Sequence, residues 1–253
     1  TGCPVFLRLN MILVLTCKRI MNKDLSIIIP AYNEENRIIK SLEKAITYLE
    51  NHNYNFEIIV VDDGSSDNTT KVLTNYHPKV TVLSLNKNLG KGAAVRKGML
   101  QAIGNFKLFS DADFSTPIYE ITKLLDKIQS GADICIGSRA IDRKMVKEHQ
   151  PFYREFMGKT YNKIVQLLVF KGITDTQCGF KAFTKKASEI IFPNAKINGF
   201  SFDVELLFLA HKFGLKVEQV PVEWYNDKRS TVNPIKDSTM MIIELFKIRK
   251  LHK

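Results

Sequence analysis

Long hydrophobic runs are missing from this 253-residue chain. No segment reaches the roughly 18 uninterrupted apolar residues that a bilayer core about 30 Å thick demands, so no transmembrane helix is expected. Cysteine is scarce and scattered: Cys3, Cys17, Cys135 and Cys178 keep no metal-ligand spacing. That excludes a zinc module and favours reduced thiols of a cytosolic protein over a disulfide framework. Internal repeats and low-complexity tracts are absent as well, which argues against solenoids and disordered linkers. Acidic residues are short in supply, 26 against 37 Lys and Arg, leaving a net charge of +11. Such an excess suits an anionic partner, whether nucleotide, nucleic acid or acidic membrane surface. No recognition-helix pattern, RNA-binding aromatic signature or finger spacing accompanies it, so no nucleic-acid partner is expected. The sequence carries no signal for oligomeric state.

What is there reads as an alternation. The segment "LSIIIP" from Leu25 is a β-branched run of the kind buried in parallel sheets. Ile38, Leu42, Ala45 and Leu49 then recur at helical spacing. "FEIIVVDD", "KVTVLSL", "NFKLFSDAD" and "ADICIGSR" are further strands. Between them fall helices predicted in "DNTTKVLTNY", with Asp67 as cap, in "GKGAAVRKGMLQAIG", and in "PIYEITKLLDKIQSG", which has Pro first and Gly last. Strands alternating with helices predict right-handed crossovers and an α/β fold, a mostly parallel doubly wound sheet flanked by helices. In the second half Tyr153, Met157, Tyr161, Ile164 and Leu168 form a helical stripe, "FSFDVELLFLAHKFG" an apolar helix, and "KVEQVPVEWY" a strand.

Three stretches divide the chain. Residues 1–20 hold a short apolar run, Met11 to Cys17, too brief to span a bilayer. They read as a leader or mis-assigned start, with Met21 as the expected beginning. Residues 21–235 form one domain, and 236–253 a tail that is apolar first and then basic.

In an open parallel sheet, ligands bind beyond the carboxyl ends of the strands. Three polar clusters fall there: "PAYNEE", "VVDDGSSD" and "SDADFS". Alone, each has an ordinary explanation, as an acidic helix start, a turn with its cap, or a solvated loop. Together on one rim they point to a polar ligand. The short loop "GKG" before a helix lacks the spacing of a Walker motif.

These stretches, in this order, resemble family 2 glycosyltransferases: "SIIIPAYNEE", "IIVVDDGSSDNT", "NLGKGAAVRKGM", "DAD" and "GSR". "GITDTQCGFKAFTKKA" and "FSFDVELLFLA" are similar to the polyprenyl-phosphate branch, the dolichyl-phosphate β-glucosyl type first and the mannosyl type next. The resemblance implies an A-type glycosyltransferase fold over residues 25–225 and inverting transfer of a hexose from a nucleotide-sugar donor, UDP-glucose before GDP-mannose. It implies Mg²⁺ or Mn²⁺ as cofactor. It also implies roles: Pro30, Tyr32 and Glu34 lining the nucleotide pocket, Asp63 with the Val61 backbone receiving the base, and Asp111 and Asp113 holding the metal against the diphosphate. Ala112 lies between those carboxylates, and Ser115 falls where relatives place another polar group near the metal. Arg139 would meet a phosphate, with Lys91 a second candidate for that charge.

The acceptor decides whether a base is needed. A sugar hydroxyl must lose a proton to a carboxylate, for which Asp203 and Glu205 are the candidates. Both have a structural alternative, at the start of a helix and in its interior. A phosphate monoester is already mostly ionised near pH 7, its second pKa being about 6, and needs positioning instead. Asp175, Gln177 and Lys181 are expected near the donor sugar and acceptor phosphate. The resemblance departs at "NDKRSTV", where Thr231 replaces a lysine of mannosyl relatives and Lys228 and Arg229 stand just before it. A hydroxyl acceptor in glycan or exopolysaccharide synthesis is the alternative. Relatives of the eukaryotic glucosyl type carry an N-terminal membrane helix that is not expected in this sequence, so peripheral attachment to the cytoplasmic face of a membrane is expected instead, through the 153–168 stripe and the basic surface. Ordinary core packing is the other reading of that stripe.

Overall fold

The computed structural model describes residues 23–227 and 234–253. The expected leader, Met21, and the Lys228–Thr231 departure lie outside them. Among the described residues seven strands form one sheet: β1 (Leu25–Ala31), β2 (Phe56–Asp62), β3 (Val80–Ser84), β4 (Phe106–Ser110), β5 (Ile134–Ser138), β6 (Phe180–Thr184) and β7 (Val217–Pro221). Their order is β3-β2-β1-β4-β6-β5-β7. All pairings are parallel except those of β6, which runs against β4 and β5. The reversal puts the start of β6, not its end, at the rim where the other strands finish. Ser110 pairs with Phe180, so the residues just before β6 face those just after β4.

Strand alternation feeds two cores. Ile28, Val61 and Phe109 point to one face, and Ile27, Val60 and Leu108 to the other. Helix α1 (Ile38–Asn51) covers the second face with Ile38, Leu42, Ala45 and Leu49, as its periodicity predicts. Helix α2 is shorter than expected, five residues (Thr69–Leu73) before a 3₁₀ turn. Its cap position is Asn68 and not the expected Asp67, which stands one residue earlier and accepts from the Thr69 N–H at 2.9 Å. Helix α3 (Lys91–Gln101) lies on the first face, and α4 (Ile121–Gln129) on the second. The first face is completed by α5 (Phe152–Leu168), α6 (Lys185–Ile191), α7 (Phe202–Lys212) and α8 (Pro234–Leu251).

Helix α5 divides the stripe between a packed part and an exposed part. Only Tyr161 and Val165 of this helix are buried. Phe152, Tyr153, Phe156 and Leu167 are exposed, Phe152 at 84% and Leu167 at 82%. The helix packs by its C-terminal half, and its first two turns project aromatic rings into solvent. Helix α8 packs on α5 and α7. Leu245 and Ile248 are fully buried there, while Met240, Ile243 and Phe246 stay exposed. No helix among the described residues is long and apolar enough to cross a membrane.

Candidate active site

The rim is assembled from loops that follow β1, β2, β4 and β5 and the one that precedes β6. After β2, Asp62 closes its own turn, accepting from Ser65 N–H and Thr70 Oγ1. Asp63, 3% exposed, accepts from the Leu89 and Gly90 N–H groups, both at 2.8 Å. Burial raises its pKa, against the lowering effect of those two bonds. Asp63 therefore shapes the glycine loop, and each of its oxygens retains a lone pair. Gly90 sits at φ +106°, a conformation that side chains disfavour. The turn delivers Lys91 to the start of α3.

The DAD segment leaves β4 with Asp111 anchored through its N–H to Gly179 O at 3.1 Å. A Cβ on Gly179 would lie 2.1 Å from Asp111 Oδ2, so only glycine leaves room for that carboxylate. Asp113 accepts from the Ser115 N–H at 2.9 Å. Its pKa is raised by burial first and by the Asp111 charge second, so the two carboxylates repel across a shared space. Asp111 Oδ1 is buried without a directional hydrogen bond, although Lys91 Nζ stands 2.5 Å away. A divalent cation fits these two mutually repelling carboxylates. Among the described residues no three His, Cys, Asp or Glu side chains are grouped to hold a metal. Asp111 and Asp113 would be the acidic ligands, and further positions would fall to phosphate oxygens and water, as hard cations accept.

Arg139, just past β5, is forked onto Asp175, with Nε at 2.7 Å and an Nη at 2.8 Å, and its backbone N–H adds a third bond at 3.0 Å. The guanidinium lies 5.4 Å from the Trp224 ring centroid. Burial would raise the Asp175 pKa, but Arg139 overrides it and brings it down to about 2. Asp175 thus holds Arg139 in place. Beyond this pair opens a cavity of about 480 Å³ between α5 and the 139–150 and 174–177 segments. Five cations line it: Arg139, Arg143, Arg154, Lys159 and Lys163. Its two acids are both paired, Asp175 with Arg139 and Glu155 with Arg143 and His149. Asn162 Oδ1, Thr176 Oγ1 and Gln177 Nε2 border it as buried polar atoms without partners. A larger cavity, about 870 Å³, borders Asp113 and Ser115 from the α1 side, where Tyr48, Tyr119 and Tyr225 form its walls.

Glu34 is buried and its carboxylate is clasped by Arg37, three residues on. Arg37 also reaches to 3.5 Å from Asp227, and its charge bears on Asp113. Sequence reasoning missed Arg37, whose signal was the i, i+3 spacing in "NEENR". Pro30, the last residue but one of β1, pairs with Val61, Tyr32 is 40% exposed at the rim, and the Val61 side chain is sealed in the core. Ala112 is buried. Lys181 is fully buried and does not reach either cavity; its ammonium contacts Asp203 and Cys178 O, each at 2.5 Å. Asp203 is 2% exposed, its pKa raised by burial against the pull of Lys181 and Lys91. Glu205 turns away from the rim: it accepts from the Lys196 and Ile197 N–H groups and contacts His252 Nε2 at 2.6 Å. Both carboxylates are engaged by cationic or hydrogen-bonding partners within the fold.

A mostly parallel sheet with paired aspartates after its central strand defines an A-type glycosyltransferase. The model of glycosyl transferase family 2 matches residues 26–192, and the chain belongs to that family. Within it, the chain is similar to a dolichyl-phosphate β-glucosyltransferase of Trichomonas vaginalis, 40% identical over 234 residues, 87% of this chain and 67% of that protein. It is 36% identical over 243 residues to the Homo sapiens dolichyl-phosphate β-glucosyltransferase, covering 90% of this chain and 75% of that one. The crystal structure of glucosyl-3-phosphoglycerate synthase from Mycobacterium tuberculosis with UDP shares the fold, with a TM-score of 0.66 at 18% identity over 91% of this chain and 82% of that one. A second structure of that synthase, with TM-score 0.62 and 17% identity over 90% of this chain and 80% of that one, holds Mn²⁺, UDP and glucosyl-3-phosphoglycerate.

Proposed function

We propose that this chain transfers glucose from UDP-glucose to a polyprenyl phosphate, dolichyl phosphate foremost, with inversion at the anomeric carbon and with Mg²⁺ or Mn²⁺ bound by Asp111 and Asp113. The observation that carries the reading is the five-cation cavity beside Arg139, bordered by three unpartnered polar atoms. An acceptor phosphate supplies the missing charge and hydrogen-bond partners together. The named relatives and the UDP and Mn²⁺ complexes of the structural neighbour support it.

The residues divide the work by charge. Asp63, Tyr32 and Pro30 receive the nucleotide, Glu34 with Arg37 steadies that loop, and Lys91 meets the diphosphate. A divalent cation held by Asp111 and Asp113 would supply charge neutralisation for the leaving diphosphate. Arg139, held rigid by Asp175, orients the acceptor phosphate, and Ser115 holds Asp113 through its N–H. A phosphate oxygen forms the new bond to the anomeric carbon as the bond to the β-phosphate oxygen breaks, its electron pair leaving with UDP. The acceptor brings its own ionised oxygen, so no base is required. The engagement of Asp203 with Lys181 and of Glu205 with His252 favours this acceptor over a hydroxyl.

The lipid places the reaction at a bilayer. Exposed Phe152, Tyr153 and Phe156 on α5 and Phe246 on α8 are suited to the headgroup boundary, and the α5 cations to anionic lipid. Peripheral attachment to the cytoplasmic face follows from a nucleotide-sugar donor. The test is a radiolabelled-donor screen of UDP-glucose and GDP-mannose against dolichyl and undecaprenyl phosphate with Mn²⁺. Label from UDP-glucose extracting with the lipid is expected; label confined to a soluble glycan would overturn the acceptor assignment.

A further inference from the structure

Lys91 is gripped at both ends of its loop. Asp63 takes the Leu89 and Gly90 N–H groups, and the Gly92 N–H donates to Asn198 O at 2.8 Å. The ammonium is thereby directed to Asp111, 2.5 Å away, and lies 5.8 Å from the centroid of the Phe202 ring. The next residue on α7, Asp203, also acts on this ammonium, and is itself held by Lys181 at 2.5 Å. Lys181 in turn lies 5.2 Å from the Phe109 ring centroid. The result is a row of alternating charges, Asp111, Lys91, Asp203 and Lys181, running from the rim into the protein.

We infer that Lys91 is a counter-ion that the metal must displace from Asp111, and that the donor diphosphate makes the displacement possible by taking over the ammonium. The inference rests on the metal and donor reading above and assigns to Asp203 a positioning role in place of base catalysis. An ammonium in contact with Asp111 opposes a divalent cation on the same carboxylate, since both are positive and the site is half-buried. Metal alone therefore binds weakly. A diphosphate brings negative charge to the same spot, so the ammonium gains a second partner as the metal takes the first. Metal and nucleotide enter as a coupled pair. Asp203 keeps the ammonium within reach of the site throughout, and Lys181 keeps Asp203 in place.

The test is calorimetric and needs no acceptor. Mn²⁺ alone, UDP alone, and Mn²⁺ after UDP saturation are titrated into the full chain and into Lys91→Met and Lys91→Gln, with thermal melting on the same samples to establish folding. Lys91 is partly exposed at the start of a helix, so both variants are expected to fold. Both should bind Mn²⁺ alone about tenfold more tightly than the unsubstituted chain and UDP alone about tenfold more weakly. The factor by which UDP improves Mn²⁺ affinity should shrink by about tenfold. Mn²⁺ affinity in the variants equal to or weaker than in the unsubstituted chain would overturn the inference and leave the donor reading standing. Absence of any Mn²⁺-assisted UDP binding in the unsubstituted chain would remove the donor reading and this inference with it.

Discussion

Gly179→Ala isolates the placing of one carboxylate from every other property of the site. The added Cβ would lie 2.1 Å from Asp111 Oδ2, 2.3 Å from Cγ and 2.4 Å from Oδ1. A carbon and an oxygen in non-bonded contact approach no closer than about 3.3 Å, so the carboxylate must retreat by about 1 Å. The backbone at Gly179 is not in the left-handed region, and the atoms in the way are the far end of a side chain. The fold should therefore absorb the methyl group with a melting shift of at most a few degrees. Chemistry should not: a reacting group misplaced by about 1 Å costs on the order of 100-fold in rate, or about 2.7 kcal/mol of barrier. Labelled-glucose transfer to lipid phosphate at saturating Mn²⁺, measured beside a melting curve, reads both quantities. A variant that melts like the unsubstituted protein and keeps more than half its turnover would refute the claim that Asp111 must stand where glycine leaves room.

Three further outcomes are expected. Asp113→Asn should lower turnover by at least about 100-fold and weaken Mn²⁺ binding in the presence of UDP, with melting unchanged or raised, since removing a half-buried charge relieves repulsion from Asp111. Asp175 is held at about 2 in the folded protein against 3.8 unperturbed, so its contribution of about 2 kcal/mol is present above pH 4 and lost as pH falls toward 2. Urea midpoints measured across that range should show this component in the unsubstituted chain and lack it in Asp175→Asn. Leu245→Ala removes a fully buried side chain from the packing of α8 and should cost about 2–5 kcal/mol by urea denaturation. A cost under about 1 kcal/mol would mean that α8 is not part of the cooperative unit.

Six of the strands, the flanking helices and the acidic rim could be read from residue order because each is a local pattern. β-branched runs, a 3.6-residue period and polar clusters after strands depend only on neighbours along the chain. The α5 stripe shows where that legibility ends. Its apolar residues have helical spacing, yet only Tyr161 and Val165 are buried, with Ile164 partly covered, and periodicity does not say which turns of a helix the rest of the fold will cover. Asp203 and Glu205 are a similar case. Two residues apart in one helix, they point in different directions to Lys181 and His252, partners 22 and 47 residues away.

From its order of residues alone, then, this chain specified an α/β sheet with paired aspartates at the rim and a cationic residue after β5. Only the three-dimensional arrangement decided who neutralises whom. The reversed β6 brings Gly179 against Asp111, and α7 brings Asp203 under the Lys91 loop. Charges interact through space and not along the backbone, so those partnerships came into being when the strands took their places in the sheet.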